Sequence, residues 1–254
     1  MSSLKPMRRP AAKPVRRNAP TKSSPANNRS LLVFIGLLGI AAVLVAVLVY
    51  RGRANAPVDQ SNVPVDQAVR PLNAQVGQTN QGYWYKGAAD APVQVVVFGD
   101  FQCPACLTAY QQIEGGIDKN YVETGKVQFV FHDFPLTMHK NAIPAALAAR
   151  AAGAQGKFWQ FHDLLYARQT EWENDSNSQA IARFKSYAGE LGLDQAAFDK
   201  ALDDNTYNAA ITAAVSDGTA QGINATPTYL VDGKKTDANA LIAAIDAALK
   251  AKGR

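Results

Sequence analysis

Residues 93–106 read VQVVVFGDFQCPAC, an apolar run that leads directly into a pair of cysteines. The run from Val93 to Phe98 is continuous and rich in β-branched side chains, which predicts a central strand covered on both faces. Cys103 and Cys106 are the two cysteines of the chain, and they stand two residues apart where this strand is followed by a helix. A thiol pair in that position indicates reversible disulfide chemistry.

The two thiols are predicted to have different roles. Cys103 would lie at the N-terminus of the helix, with Pro104 at the first helical position, where proline is well tolerated. Unpaired backbone N–H groups and the helix dipole stabilise negative charge at that end, so Cys103 is the predicted nucleophile. Cys106 lies about one turn further in and is predicted to resolve mixed disulfides by attacking the Cys103 sulfur.

Two other uses of the cysteine pair are open. A structural disulfide suits an exported domain, but a bridge that closes so short a loop stabilises little. A zinc site needs four ligands, and His132, His139 and His162 do not stand at zinc-ligand spacing. We therefore expect neither a metal nor another cofactor.

The rest of the pattern is typical of an α/β protein. Val127 to Phe134 predicts a second strand, joined to the first by a right-handed helical crossover that Gly115 and Gly116 are expected to kink. A helical block follows, and then Thr228 to Val231 predicts a strand that an Asp-Gly turn connects to a short edge strand. The predicted helices are 141–154, 157–168, 178–191, 194–202 and 206–221, with N-caps at Ser178, Asp194 and Thr206, and a terminal amphipathic helix over 241–249.

The net charge of +5 is unevenly distributed along the chain. Ten of the 26 Lys and Arg residues precede residue 54, where there is no Asp or Glu, so the remaining 16 face all 21 acidic residues. A basic surface for nucleic acid is therefore not expected on the folded part. The basic N-terminus is better explained as a signal of membrane topology.

Leu31 to Tyr50 reads LLVFIGLLGIAAVLVAVLVY and contains neither charge nor proline. Its length matches the ~20 residues needed to cross a bilayer. The basic flank places the N-terminus in the cytoplasm and residues 51–254 outside it, which predicts a single-pass signal anchor in the cell membrane. A cleaved signal peptide is the alternative, because Ala54-Asn55-Ala56 resembles a cleavage site. A buried core helix is disfavoured because the run is apolar on all faces.

The polar, proline-punctuated stretch after this segment predicts a flexible linker. The predicted organisation is a basic cytoplasmic tail (1–30), a transmembrane helix (31–50), the linker (51–81) and a globular domain (82–254) with a helical insertion at about 137–221.

Four segments together resemble the DsbA-like branch of the thioredoxin superfamily, a group of extracytoplasmic thiol-disulfide oxidoreductases. They are residues 95–106 (VVVFGDFQCPAC), 133–136 (DFPL) with His139, 155–159 (QGKFW) and 222–228 (GINATPT). The resemblance covers roughly residues 83 to 254. It implies a thioredoxin fold with a helical domain inserted between strands, here preceded by the transmembrane helix.

The resemblance also implies roles for individual residues. Pro227 would be a cis-proline that faces the cysteines, and the backbone of Thr226 before it would pair with an extended substrate peptide. Pro104 and Ala105 would complete the redox motif. Aromatic side chains are further candidates to line a groove for substrate, namely Phe98, Phe101 and Trp159.

Two positions depart from the family pattern. Ala105 stands where many strongly oxidising members have histidine, so the pKa of the nucleophilic thiol is expected to be less depressed and the disulfide less oxidising. Val97 stands where many thioredoxin-like proteins have a buried acid that carries a proton. His132 and His139 are candidate proton carriers instead, and Asp100 is expected to face solvent.

The leading hypothesis is a membrane-tethered dithiol oxidase that introduces disulfides into exported proteins with free thiols. The resemblance implies a membrane-embedded, thiol-oxidising partner that restores its disulfide. One alternative is a disulfide reductase or isomerase that uses the same cysteines. The other is an anchored binding or chaperone module in which the cysteine pair is idle.

Overall fold

A mixed six-stranded sheet organises residues 63–254, which are the residues that the computed structural model describes. Its strand order is β1-β2-β4-β3-β5-β6, in which β3 and β4 run parallel and all other neighbours are antiparallel. The strands are β1 (Val76–Gln78), β2 (Trp84–Lys86), β3 (Val93–Gly99), β4 (Val127–Asp133), β5 (Thr228–Val231) and β6 (Lys234–Thr236). Both predicted central strands and the predicted edge hairpin are therefore present.

Helices occupy the crossover, the long β4–β5 connection and the C-terminus. They are α1 (Val65–Ala68), α2 (Pro104–Ala109), α3 (Gly115–Ile117), α4 (Ala142–Ala154), α5 (Phe158–Ala167), α6 (Gln169–Trp172), α7 (Asn177–Glu190), α8 (Gln195–Asp203), α9 (Asn208–Ala220) and α10 (Leu241–Ala251). Helices α4 to α9 all lie between β4 and β5 in the chain. They form a helical block that is inserted in the sequence between two strands of one continuous sheet.

The two faces of the sheet are covered unequally. Val95 and Val97 point into the main core, where they pack with Phe129 and Phe131 of β4. On the opposite face only the end near α9 is closed, and Gln94 remains exposed. The prediction that β3 is covered on both faces is thus wrong, because no helix crosses that face at its Gln94 end within the described residues.

The crossover helix after the cysteines is not a regular α-helix. Wider π-helical turns at Tyr110–Glu114 and Asp118–Val122 stand on either side of α3, which contains the two glycines. The expected break in regularity is present, but it takes the form of two π turns. Side chains on this segment consequently shift around the helix, and Glu114 and Asp118 both point inward, 8% exposed each.

Two predicted helix caps are wrong. Helix α7 begins at Asn177, and its N-cap is Ser176, two residues before the predicted cap Ser178, in a capping box with Gln179. Helix α9 follows Tyr207 and has no side-chain cap, whereas Asp194 caps α8 as predicted. Where several polar residues stand in a row, only the backbone conformation decides which one is the cap.

The folded domain begins earlier than the predicted boundary at residue 82. Helix α1 buries Ala68, and β1 pairs with β2 along its whole length. Main-chain pairing and one half-buried ion-pairing side chain, Arg70, attach this stretch, so it needs little apolar sequence. The predicted linker is therefore wrong for residues 63–81.

The predicted tail, transmembrane helix and first part of the linker, residues 1–62, lie outside the described residues. Within residues 63–254, no helix combines the length and apolarity that crossing a bilayer requires.

Candidate active site

The cysteine pair lies where β3 ends and α2 begins. Cys103 is the N-cap of α2, in extended conformation, and Pro104 occupies the first helical turn. The Cys103 N–H donates to Asp100 O (3.1 Å), which closes a tight turn before the helix. Both cysteines are free thiols and are largely buried, with relative exposures of 6% for Cys103 and 4% for Cys106.

The two thiols are buried to a similar extent, but their hydrogen bonds give them different pKa values. A hydrogen bond from the Cys106 thiol is the largest cause that lowers the pKa of Cys103 to about 5, and the backbone N–H groups of Cys106 and Ala105 add to it. Burial raises the pKa of Cys106 well above its ordinary value, and so does its hydrogen bond to Cys103. The site thus holds one stable thiolate and one proton-retaining thiol.

The loop before β5 faces the cysteines. The Thr226–Pro227 peptide bond is cis, as the resemblance implies. The Cys103 Sγ lies 3.4 Å from the Thr226 carbonyl oxygen, to which it donates only when it is protonated, and the Thr226 side chain also lowers the pKa of Cys103. Pro104 and Ala105 are exposed next to this loop.

Asp100 holds the turn over residues 100–103, the redox turn, in place, and the expectation that it faces solvent is wrong. It is 1% exposed, and its carboxylate accepts from Gln102 N (2.8 Å), Leu136 N (2.9 Å) and His139 Nδ1 (2.6 Å). His139 is therefore engaged with Asp100 rather than with either sulfur. An acidic residue at the C-terminal end of a strand, just before a helix, is the sequence signal for this role.

The helical block contributes contacts that sequence reasoning missed. Gln169 of α6 donates to the carbonyls of Phe101 (2.6 Å) and Cys103 (3.3 Å). Gln102 accepts from Asn141 N at 2.6 Å and donates to Glu173 O at 2.7 Å. The groups of the helical block that make these hydrogen bonds lie 39 to 71 residues from their partners along the chain, so no local pattern could reveal them.

The aromatic candidates do not form a substrate groove. Phe101 is 1% exposed and stacks on Phe131, and Phe98 is equally buried on the other face of the sheet. Trp159 is 6% exposed, and its Nε1 donates to Tyr85 O in β2. The prediction that these rings contact substrate is wrong, because all three fill the core.

Among the described residues, neither His132 nor His162 forms a hydrogen bond with a cysteine. His132 is on the open face of the sheet, with Nε2 3.2 Å from Asp217 Oδ2. His162 is in the core with Glu114 and Asp163, a set whose ligand atoms are close enough for a metal ion. Two cations already pair with these acids, since Lys86 Nζ is 2.6 Å from Glu114 and Arg70 is 2.8 Å from Asp163.

The fold and the site define a class. A redox-active cysteine pair at a helix N-terminus, opposite a cis-proline and on a thioredoxin-like sheet, is the arrangement of the thiol-disulfide oxidoreductases. A family model described as Thioredoxin matches residues 79–251. The chain belongs to this family and, within it, to the DsbA-like proteins.

Individual relatives support this placement. The crystal structure of oxidised BdbD from Bacillus subtilis superposes with a TM-score of 0.61 at 28% identity, covering 70% of this chain and 99% of that one. A probable disulfide bond formation protein D from Bacillus cereus is 38% identical over 105 residues, which are 39% of this chain and 48% of that protein.

A different kind of protein also matches this chain. A Na(+)/H(+) antiporter NhaA 1 from Salinispora arenicola is 35% identical over 165 residues, which are 65% of this chain. This chain spans about a quarter of that antiporter's length (24%). The likeness therefore concerns one part of the antiporter.

Proposed function

We propose that this chain is a membrane-tethered dithiol oxidase that introduces disulfides into exported proteins. The observation that carries the proposal is the opposite behaviour of the two sulfurs at the cis-proline loop. The pKa of Cys103 is lowered to about 5, whereas burial raises the pKa of Cys106. A stable Cys103 thiolate favours the reduced form of the pair, and this makes the disulfide a stronger oxidant.

The chemistry balances without a cofactor. A substrate thiolate attacks the Cys103 sulfur of the oxidised pair, which breaks the Cys103–Cys106 bond and forms a mixed disulfide. The Cys106 sulfur leaves and takes up a proton, which its raised pKa favours. A second substrate thiolate then attacks the substrate sulfur of the mixed disulfide, and Cys103 leaves as a thiolate. The substrate loses two electrons and gains a disulfide, and the enzyme pair is reduced.

Substrate recognition is proposed to be general. The exposed rim beside Cys103 consists of small or uncharged residues, Pro104 and Ala105, with Thr226 and Pro227 half-buried opposite. An extended peptide that pairs with the Thr226 backbone would be held through its main chain, which suits substrates of varied sequence.

The N-terminal sequence supports the proposed location, and the family resemblance supports the proposed partner. An apolar segment at 31–50 after a basic tail would tether the domain on the outer side of the cell membrane. Exported proteins with free thiols and a membrane-embedded reoxidising protein would both be accessible there. A reporter enzyme that is active only outside the cytoplasm, fused after Arg254, tests this topology, and an inactive fusion would refute it.

The reduction potential of the cysteine pair tests the direction of the reaction. The full chain in detergent is equilibrated with glutathione buffers, and the expected value is above about −200 mV, between thioredoxin at about −270 mV and DsbA at about −120 mV. Ala105→His should move the potential in the less negative direction, because an added imidazolium would stabilise the Cys103 thiolate. A value near that of thioredoxin would indicate a reductase.

Trapping separates catalysis from mere binding. Cys106→Ala should accumulate mixed disulfides between Cys103 and exported proteins. The Cys103 thiolate can still attack a substrate disulfide and displace one substrate sulfur as a thiolate, but the Cys106 thiol that would release the adduct is missing. Cys103→Ser is the matched control and should trap none. The binding-module alternative would be favoured if Cys106→Ala formed no adducts and if Cys103→Ser fully restored function to a strain from which the parent protein has been deleted.

A further inference from the structure

An open cavity lies on the face of the sheet that points away from the cysteines. Its volume is about 570 Å³, within the range of small-ligand sites. Strands β2 to β5 form its floor through residues such as Tyr85, Val96, Val130 and Leu230. The β1–β2 turn and the last turns of α9 form its walls.

Side-chain amides dominate the polar lining of this cavity. They belong to Gln78, Asn80, Gln81, Gln94, Gln128 and Gln221. Gln94 Nε2 donates to Gln128 Oε1 at 2.8 Å, whereas the side chains of Gln78, Asn80 and Gln81 make no hydrogen bond within residues 63–254. Each free amide offers donors and an acceptor together, which matches hydroxyl and acetamido groups.

Asp217 is the polar centre of the cavity. Its Oδ2 lies 3.2 Å from Tyr83 Oη, 3.2 Å from His132 Nε2 and 3.1 Å from Gln221 Nε2. Oδ1 makes no hydrogen bond within the described part of the chain, and the side chain is 48% exposed. A carboxylate held by donors from Tyr83 and Gln221 and in contact with the His132 ring, with one oxygen open to the cavity, is suited to accept a pair of ligand hydroxyl groups.

The cavity carries little other charge. Among the described residues that line it there is no lysine or arginine. Burial lowers the pKa of His132, and burial also raises the pKa of Tyr83 to about 12, so burial favours the uncharged form of both rings. An anionic ligand would meet Asp217 without a compensating cation, so the lining favours an uncharged ligand.

Aromatic rings complete the surface. Tyr83 and Tyr85 are half-buried and both line the cavity. Tyr83 lies over His132, with ring centroids 4.0 Å apart. Flat rings beside hydrogen-bonding groups suit a ligand that has apolar faces and polar edges.

We propose that this cavity binds a short neutral oligosaccharide. Sugar rings combine hydroxyl edges, which the amides and Asp217 can bind, with C–H faces, which can stack on Tyr83 and Tyr85. A peptide fits less well, because strands β2 to β5 are each paired on both sides and offer no free edge for strand addition. The amide-rich lining also lacks the apolar groove that an amphipathic helix needs.

Saccharide titration of the full chain in detergent tests this site. The probes are N,N′-diacetylchitobiose, which has hydroxyl and acetamido groups, and maltose, which has hydroxyl groups alone. Saturation-transfer NMR and calorimetry should show saturable binding of at least one of them. Asp217→Asn and Gln94→Ala should each raise the Kd at least fivefold.

Asp246→Asn is the matched control for Asp217→Asn. Asp246 also accepts from a tyrosine, Tyr121 (2.8 Å), but it lies outside the cavity lining, so saccharide binding should not change. Asp217→Asn should leave the reduction potential of the cysteines unaltered, which keeps this test independent of the redox function. The proposal is overturned if neither saccharide saturates, if both cavity variants bind as well as the parent chain, or if an extended neutral peptide occupies the cavity instead.

Discussion

At the scale of single residues, the redox chemistry depends on how the two sulfurs share one proton. Sequence alone predicted an acidic Cys103 from the backbone N–H groups of a helix N-terminus, and those groups do contribute. The larger contribution comes from the thiol of Cys106. Spacing shows that two cysteines are neighbours, but only the folded turn shows which sulfur donates to the other.

Alkylation kinetics test this sharing. In the reduced full chain, the rate of reaction of Cys103 with iodoacetamide should rise with pH through a midpoint near 5, because only the thiolate reacts. Cys106→Ala should move the midpoint upward, since the largest lowering hydrogen bond is lost. Cys103→Ser leaves only Cys106, which should react little at neutral pH. A parent midpoint near that of free cysteine, about 8.5, would contradict this account.

At the scale of secondary-structure elements, the sequence predicted which strands and helices are present and their order in the chain, but not the residues at which they begin and end. Continuous apolar runs identified β3 and β4, and helical periodicity identified the block between β4 and β5. The start of α7 was misplaced because 176–178 reads Ser-Asn-Ser, and either serine can cap a helix. The structure selects Ser176, whose side chain and that of Gln179 satisfy each other's backbone N–H groups.

Two serine variants distinguish these starts. Ser176→Ala removes the cap acceptor and should lower the free energy of unfolding by about 1 kcal/mol. Ser178→Ala, two residues further on, should change it by less than about 0.5 kcal/mol, as is usual for surface substitutions. Urea denaturation of both variants, with the cysteines in the same redox state, compares their free energies of unfolding. A larger loss for Ser178→Ala would place the helix start where the sequence alone suggested.

Glycines inside helices form a second matched pair. A Cβ on Gly218 of α9 would meet Phe134 at 2.8 Å and Phe98 at 3.1 Å, so Gly218→Ala should cost about 1–3 kcal/mol by forcing α9 off the sheet. A Cβ on Gly116 would meet nothing within 4 Å. Gly116→Ala should therefore stabilise by about 0.5–1 kcal/mol, through helix propensity. Thermal unfolding measures the change in stability of both variants. If both variants were stabilised, or both destabilised, the close approach of α9 to the sheet would be contradicted.

At the scale of the whole molecule, long-range contacts escaped sequence reasoning. The cysteine pair and the cis-proline were foreseeable, because each belongs to a motif that a family resemblance identifies. The open face of the sheet and the folded stretch over residues 63–81 were not foreseeable from the sequence. Each depends on how elements that are distant in the chain pack against one another. Arg70 stands in a polar stretch that reads as a linker, yet it contacts Glu114 (3.1 Å) and Asp163 (2.8 Å) in the folded domain.

The ion cluster around Arg70 decides where the domain begins. Arg70, with Lys86, balances Glu114, Asp118 and Asp163, all of which are mostly buried. Arg70→Ala would leave Lys86 as the one lysine or arginine that pairs with these acids among the described residues, and breaking a buried pair on one side costs about 3–5 kcal/mol.

Arg183→Ala is the matched control, because Arg183 is 47% exposed and pairs with Asp175 at the surface, where such pairs contribute about 0.2–1 kcal/mol. Urea denaturation at fixed redox state compares the two losses. If residues 63–81 were a mere tether, removing Arg70 would cost no more than removing Arg183. A loss several times larger would instead show that the redox domain requires this stretch, so a shortened chain that begins at residue 82 should be destabilised even though it retains both cysteines and the cis-proline.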